Sequence, residues 1–312
     1  MSEIPVIDIS GLNSPDLADR RAVAAELGRA CRDIGFFYAT GHGVAPEQLA
    51  QVFDASRRFF TQPAAAKQAL SIKRSDNDVG YIALDDEQLD PESPADHKEA
   101  FNIGLELPAD HPAMVQKKPF RGPNFWPDLP GFRETMLDYY DRCWMAGRLI
   151  HKGFCLDLGL DEDFFEDKLD EPIGILRLLH YPPRRPGAGE RLGAGAHCDY
   201  GNITLLATDG VDGLQVRRRG GGWIDAPTID GALICNIGDC LMRWTGDLYV
   251  STPHRVIQPV AHRYSLAFFL DPNPDARVET LPGMAAKYPP ITGAEYLKQK
   301  LDQTYLHRTE AV

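Results

Sequence analysis

The chain has 312 residues, 43% of them apolar and 25% charged. It is therefore long enough to bury one large or two small cores without disulfide staples, and it is neither disordered nor low in complexity. Its formal net charge of −12 repels phosphate backbones and anionic bilayers, and no run approaches the ~20 apolar residues of a membrane span, so neither nucleic acid nor a membrane is expected as a partner.

Val6 to Ile9 reads as a strand. A helix is then predicted to open at Ser14, with Pro15 in its first turn, and to close before Gly35, with Ala24, Leu27, Cys31 and Ile34 on one face. Gly35 to Thr40 follows as a buried strand, and Gly41-His42-Gly43 as a turn into a second helix that carries Leu49, Val52, Phe53, Phe59 and Phe60. His42 is expected to be buried and to fix that turn. Between Pro63 and Pro127 scattered Pro, Asp and Asn predict loops and short strands. A long helix is predicted from about Leu129 to Leu158, where Phe132, Met136, Tyr140, Cys143, Gly147 and Ile150 recur at three and four.

From Ile173 the pattern changes to short apolar runs separated by Gly, Pro and Asp. They are Ile175 to Tyr181, Ile203 to Ala207, Leu214 to Arg217, Leu233 to Ile237, His254 to Gln258 and Tyr264 to Leu270, the pattern of an all-β sandwich or barrel. Together, 28 Gly and 24 Pro support many turns and exclude an all-helical fold. A last helix is predicted over about Thr292 to Leu306. The expected organisation is mainly β with helices (α+β): a mixed helical N-terminal region over 1–170, a β domain over 171–280 and a helical tail over 281–312. Arg217-Arg218-Arg219 runs into Gly220-Gly221-Gly222 and reads as a solvated hairpin end, and Gly187 to Leu192 as another turn. The six cysteines form no C-x-x-C pair, and MSEIPVIDIS has no basic or apolar leader, so a reduced, cytoplasmic protein is expected.

Ala196-His197-Cys198-Asp199-Tyr200, read as a strand, puts His197 and Asp199 on one face, able to bite one metal. A hydrogen-bonded His–Asp pair would read the same. A third ligand is available in His254, after Ser251-Thr252-Pro253 and 254 − 199 = 55 positions on, room for about five strands to bring it back; alone it would read as a satisfied core histidine. Two imidazoles and one carboxylate are the facial set of non-haem iron(II) sites. A closed structural zinc site would be rich in cysteine. On the run Arg263 to Leu270, Arg263, Ser265, Ala267 and Phe269 share a face. A guanidinium and a hydroxyl on an otherwise apolar strand call for an anion, either a bound carboxylate or an acidic side chain at the strand end.

In this order the residues resemble the iron(II)- and 2-oxoglutarate-dependent dioxygenases of the isopenicillin N synthase-like superfamily. The resemblance rests on His197-x-Asp199, His254 and Arg263-x-Ser265, and on an ordered series of shorter matches. Those are Gly35 to Val44, Asp96-His97-Lys98-Glu99-Ala100-Phe101, Tyr181-Pro182-Pro183, Gly213 to Val216, Asn236-Ile237-Gly238-Asp239 and Ser251 to Val256. Plant-type members often read Lys-x-Asn-x-Tyr before the prolines, whereas Leu179 stands here at the Asn position. The resemblance implies a double-stranded β-helix, or jelly-roll, core. It also implies that His197, Asp199 and His254 hold Fe(II), and that Arg263 and Ser265, helped by Tyr181, bind 2-oxoglutarate. The activity implied is use of O2 and 2-oxoglutarate to oxidise a small molecule, by default through hydroxylation, with release of succinate and CO2. Two rivals remain at this point: a family oxidase that consumes no 2-oxoglutarate, told apart by succinate formation, and a jelly-roll binding protein without turnover. Tyr81, Phe101, Asn102, Arg184 and Arg185 are candidates for contact with the substrate.

Overall fold

The computed structural model describes residues 4–90, 94–184 and 192–304. The chain enters as β1 (Val6–Asp8), makes a 3-10 turn and continues into α1 (Leu17–Asp33). This helix starts later than Ser14 because Ser14 closes the 3-10 turn onto Gly11, while the Asp16 carboxylate accepts the N–H of Ala18 and caps the first turn. It ends as expected at Gly35, whose φ of +68° suits a residue without a side chain. Then come β2 (Phe36–Thr40), α2 (Pro46–Phe60), α3 (Ala64–Gln68), β3 (Gly80–Ile82), β4 (Glu99–Gly104), α4 (Pro112–Val115) and α5 (Phe132–Asp157). The 63–127 stretch thus adds two short helices to the predicted loops and strands.

The β-rich part holds β5 (Ile173–Tyr181), β6 (Leu192–His197), β7 (Ile203–Thr208), β8 (Leu214–Arg217), β9 (Trp223–Asp225), β10 (Leu233–Ile237), α6 (Asp239–Trp244), β11 (His254–Ile257) and β12 (Arg263–Asp271). The chain continues through β13 (Arg277–Val278) and β14 (Ile291–Thr292) into α7 (Gly293–Thr304), which opens with a reciprocal cap between Thr292 and Glu295. The predicted end of that helix, the turn over Gly187 to Arg191, and Arg185 lie outside the described residues.

Two sheets face each other. One has the order β1-β2-β10-β7-β12-β5-β4-β3 and the other β6-β11-β8-β9. Strands β5 to β12 are dealt between them, β5, β7, β10 and β12 to the first and β6, β8, β9 and β11 to the second, which makes the double-stranded β-helix. The N-terminal β1 to β4 extend both edges of the larger sheet. Alternation along each strand then divides the interior. Tyr264, Leu266, Phe268 and Leu270 of β12 join the core under α1, α2 and α5, while Ala267 and Phe269 pack between the sheets with Leu179, Tyr181, Val216 and Val256. Arg217-Arg218-Arg219 sits at the β8–β9 turn, where Arg218 N–H donates to Gly222.

Candidate active site

His197 ends β6 and His254 begins β11, and the two are direct cross-strand partners. Asp199 is not on a strand, contrary to the sequence expectation, because β6 stops at His197 and Asp199 lies in the turn to β7. Four strands and one helix, rather than five strands, separate it from His254. The Asp199 carboxylate is drawn into place by the far sheet: its Oδ2 accepts from Asn236 Nδ2 at 2.7 Å and from the Thr204 hydroxyl. Its Oδ1 is left facing the imidazoles, 3.5 Å from His254 Nε2 and 3.7 Å from His197 Nε2. His197 Nδ1 donates to the Gly195 carbonyl at 2.7 Å and His254 Nδ1 to that of Thr252 at 3.2 Å. That orients both rings and turns both Nε2 atoms toward Asp199. One atom from each residue lies within 4.8 Å of the other two, the only such group of three metal-ligating side chains among the described residues.

Electrostatics suit a cation. Burial first, then the neighbouring His254, push the His197 imidazole down to about 4, so it is neutral at physiological pH. Burial works to raise the Asp199 carboxyl, but the two histidines and the Asn236 amide hold it well below the usual carboxylate range. Burial works to lower His254, and the charge of Asp199 raises it.

Arg263 and Ser265 lie on the same inner face, six and four positions along β12 from the row that anchors Asp199: Phe269 pairs with Thr204, and Thr204 with Asn236 across β10. Arg263 is 1% exposed. Its Nε donates to Val211 O at 3.1 Å, its Nη1 to Ser265 Oγ at 3.5 Å, and the guanidinium stands over the Tyr181 ring. Among the described residues no carboxylate lies within ion-pair distance of it, so the strand-end ion pair considered from sequence is not formed. A buried cation with only neutral partners among the described residues fits an anionic ligand.

Other expectations divide. His42 is buried, accepts from Val44 N–H at 3.2 Å and lies 3.1 Å from Gly231 O, as a turn-fixing residue should. Tyr81 and Phe101 point into the helix-side core, where the Tyr81 hydroxyl donates to Glu99, so neither meets the barrel cavity. Asn102 is on the cavity face, directly across from Arg177, and Arg184 is exposed. The sequence reading overlooked Thr204 and Asn236 as anchors of Asp199. Asn236 carried a signal, being the one polar residue in an otherwise apolar strand.

The chain matches the family model of the 2OG-Fe(II) oxygenase superfamily over residues 172–272 and that of the non-haem dioxygenase N-terminal region in morphine synthesis over residues 4–129. It is 36% identical to a 2-oxoglutarate-Fe(II) type oxidoreductase, hxnY, of Emericella nidulans, over 96% of this chain and 90% of that one. The chain belongs to the 2-oxoglutarate- and iron(II)-dependent oxygenases. This oxygenase is also 37% identical to a homoarginine-6-hydroxylase of Arabidopsis thaliana over 92% of this chain and 90% of that one. The crystal structure of a full-length Neurospora crassa protein in complex with alpha-KG and thymine superimposes with a TM-score of 0.86 at 33% identity, covering 98% of this chain and 99% of that one. The protein is accordingly an oxidoreductase that uses Fe(II) and 2-oxoglutarate to oxidise a small molecule. Two imidazoles and a carboxylate with no thiolate are a donor set that fits iron(II), and the buried Arg263 fits a dicarboxylate co-substrate. Among the described residues no helix is long and apolar enough to cross a membrane.

Proposed function

We propose that His197, Asp199 and His254 hold the iron, that Arg263 and Ser265 bind the distal carboxylate of 2-oxoglutarate with Tyr181 as the wall beside it, and that the reaction is hydroxylation of a small polar molecule. The observation that carries this reading is the buried, carboxylate-free guanidinium on the same inner face as the His–Asp–His cluster. When bound, the iron and its co-substrate supply the oxidising power that dioxygen alone lacks, with 2-oxoglutarate leaving as succinate and CO2. The chain's own share is geometry. Thr204 and Asn236 hold one carboxylate oxygen so that the other faces the metal, and the two backbone carbonyls hold the imidazole rings. Arg263 orients the co-substrate along β12, and the apolar walls from Val216, Val256 and Leu179 keep water out.

The substrate side is supported by the row Asn102, Arg177 and Ala267, adjacent across β4, β5 and β12. It lies between the row of Asp199's anchors and that of Ser265. Asn102 is 7% exposed and its Oδ1 has no partner. An amide beside a guanidinium, with a small alanine next in the row, suits a polar substrate, in keeping with relatives named for homoarginine or crystallised with thymine. We also place the enzyme, unassociated with nucleic acid, in the reducing cytoplasm, a reading supported by six free cysteines. The test is succinate formation from 2-oxoglutarate with Fe(II), screened over amino acids and polar heterocycles. Stimulated turnover by at least one is expected. Absence of any iron-dependent 2-oxoglutarate consumption would overturn the reading.

A further inference from the structure

The segment Asp96-His97-Lys98 takes no part in the iron or co-substrate site as described, yet it is built against the strand that ends in His197. Among the described residues β6 is the edge of its sheet and pairs only with β11, so the polar groups along its other side need partners from elsewhere. Asp96 and His97 supply them. Asp96 Oδ1 accepts the N–H of Gly195 at 2.8 Å, and the His97 N–H donates to Leu192 O at 3.3 Å. Asp90 comes close on the same side, so that a Cβ at position 195 would stand 2.7 Å from its own Cβ.

Asp96 itself cannot drift. It is 1% exposed; its Oδ2 accepts from Lys98 and from Leu89 N–H, and Lys98, also buried, lies 3.4 Å from Glu87, which in turn pairs with Arg177. On its other side Gly195 presents its carbonyl to His197 Nδ1. A continuous chain of hydrogen bonds thus runs from a locked carboxylate, through one glycine, to the ring of the histidine.

We propose that Asp96, locked by Lys98, is a positioning residue for His197: by gripping Gly195 on the free edge of β6 it sets the carbonyl that orients the metal-facing imidazole. This rests on His197 being an iron ligand. Removing the grip should loosen metal binding ten- to a hundredfold, the usual consequence of losing a group that orients a ligand.

The test is anaerobic titration of the full chain with Co(II), followed by its visible absorption, beside thermal unfolding of the metal-free protein. Asp96→Ala/Lys98→Met removes both charges together, so no buried charge is left alone, and should bind Co(II) at least tenfold more weakly. Asp96→Asn/Lys98→Met is equally uncharged but keeps an oxygen for Gly195, and should bind within about threefold of the parent even if its melting temperature falls. Parental affinity in the alanine pair overturns the proposal, and so does a tenfold loss in the asparagine pair, which remains decisive if the alanine pair does not fold. His197→Ala separates the two levels. If that variant binds Co(II) like the parent, the ligand assignment itself is wrong; if it does not, the outcome of the pairs bears on Asp96 alone.

Discussion

Arg263 and Tyr181 are direct partners across β12 and β5, and the guanidinium carbon stands 4.9 Å from the centre of the tyrosine ring. Stacking on a ring and donation to a neutral carbonyl hold the cation in one orientation without neutralising it, which leaves its charge for a ligand. Arg263→Ala is therefore expected to weaken 2-oxoglutarate binding several hundredfold or more, since breaking a buried charged pair costs ~3–5 kcal/mol. Iron content should be intact. Ser265→Ala, losing one hydrogen bond to a charged group worth ~1.5–3 kcal/mol, should do the same more mildly. Anaerobic calorimetry with an inert divalent metal measures both, and unchanged affinity in Arg263→Ala would remove the co-substrate assignment.

The metal ligands should behave as a unit. His197→Ala, Asp199→Ala and His254→Ala are each expected to abolish the one-to-one binding of Fe(II). Asn236→Ala, which removes one of the two donors to Asp199 Oδ2, should weaken it by about tenfold. Metal content after desalting is the measurement, and a triad variant that keeps full content and turnover would sink the assignment.

What the sequence disclosed follows from what is local. Alternation along 263–270 places Arg263 and Ser265 on the face opposite Tyr264 and Leu266, and the structure has them so. The same rule brings His197 and Asp199 together for the wrong reason. β6 ends at His197, and Asp199 reaches the site from a turn because Thr204 and Asn236 pull its carboxylate inward. Those partners lie 5 and 37 positions away, and a bond across two strands leaves no periodic trace. The start of α1 reads as Ser14 in sequence because Ser14-Pro15 has the look of a helix opening, and only the hydrogen bond from Ala18 N–H to Asp16 shows that Asp16 is the cap. Tyr81 and Phe101 read as substrate contacts because nothing local distinguishes the helix side of β3 and β4 from the barrel side.

The iron site is expected to be a site and not a staple. Its three donors come from one end of an already packed barrel, where β6 ends and β11 begins, and the two apolar cores close without it. A chelator should remove the metal and leave the far-ultraviolet circular dichroism largely unchanged, unlike a zinc finger, which unfolds without its ion. Loss of most of that signal on chelation would assign the metal a folding role.

The last prediction concerns acid stability and a histidine away from the metal. His151 on α5 is fully enclosed, its Nδ1 donating to Gly147 O at 2.7 Å and its Nε2 accepting from the amide of Asn202 at 3.2 Å. Phe154 and Phe165 pack on the ring. Protonation would place an N–H against the Asn202 N–H in an enclosed site, and burial accordingly pushes this imidazole down to about 4. In the unfolded chain it titrates near 6.5. Between those values the unfolded state binds a proton that the native state refuses. Stability should therefore fall as pH drops from about 6.5 toward 4, by roughly 3 kcal/mol in all from this group, and be insensitive to it above about 7. His151→Leu removes the titrating ring, so urea unfolding of the metal-free protein at about pH 8, 6.5 and 5 should show a shallower loss in the variant, whatever the offset between the two at the highest pH. Equal slopes would mean that water or a rearrangement of Asn202 lets the native state accept the proton.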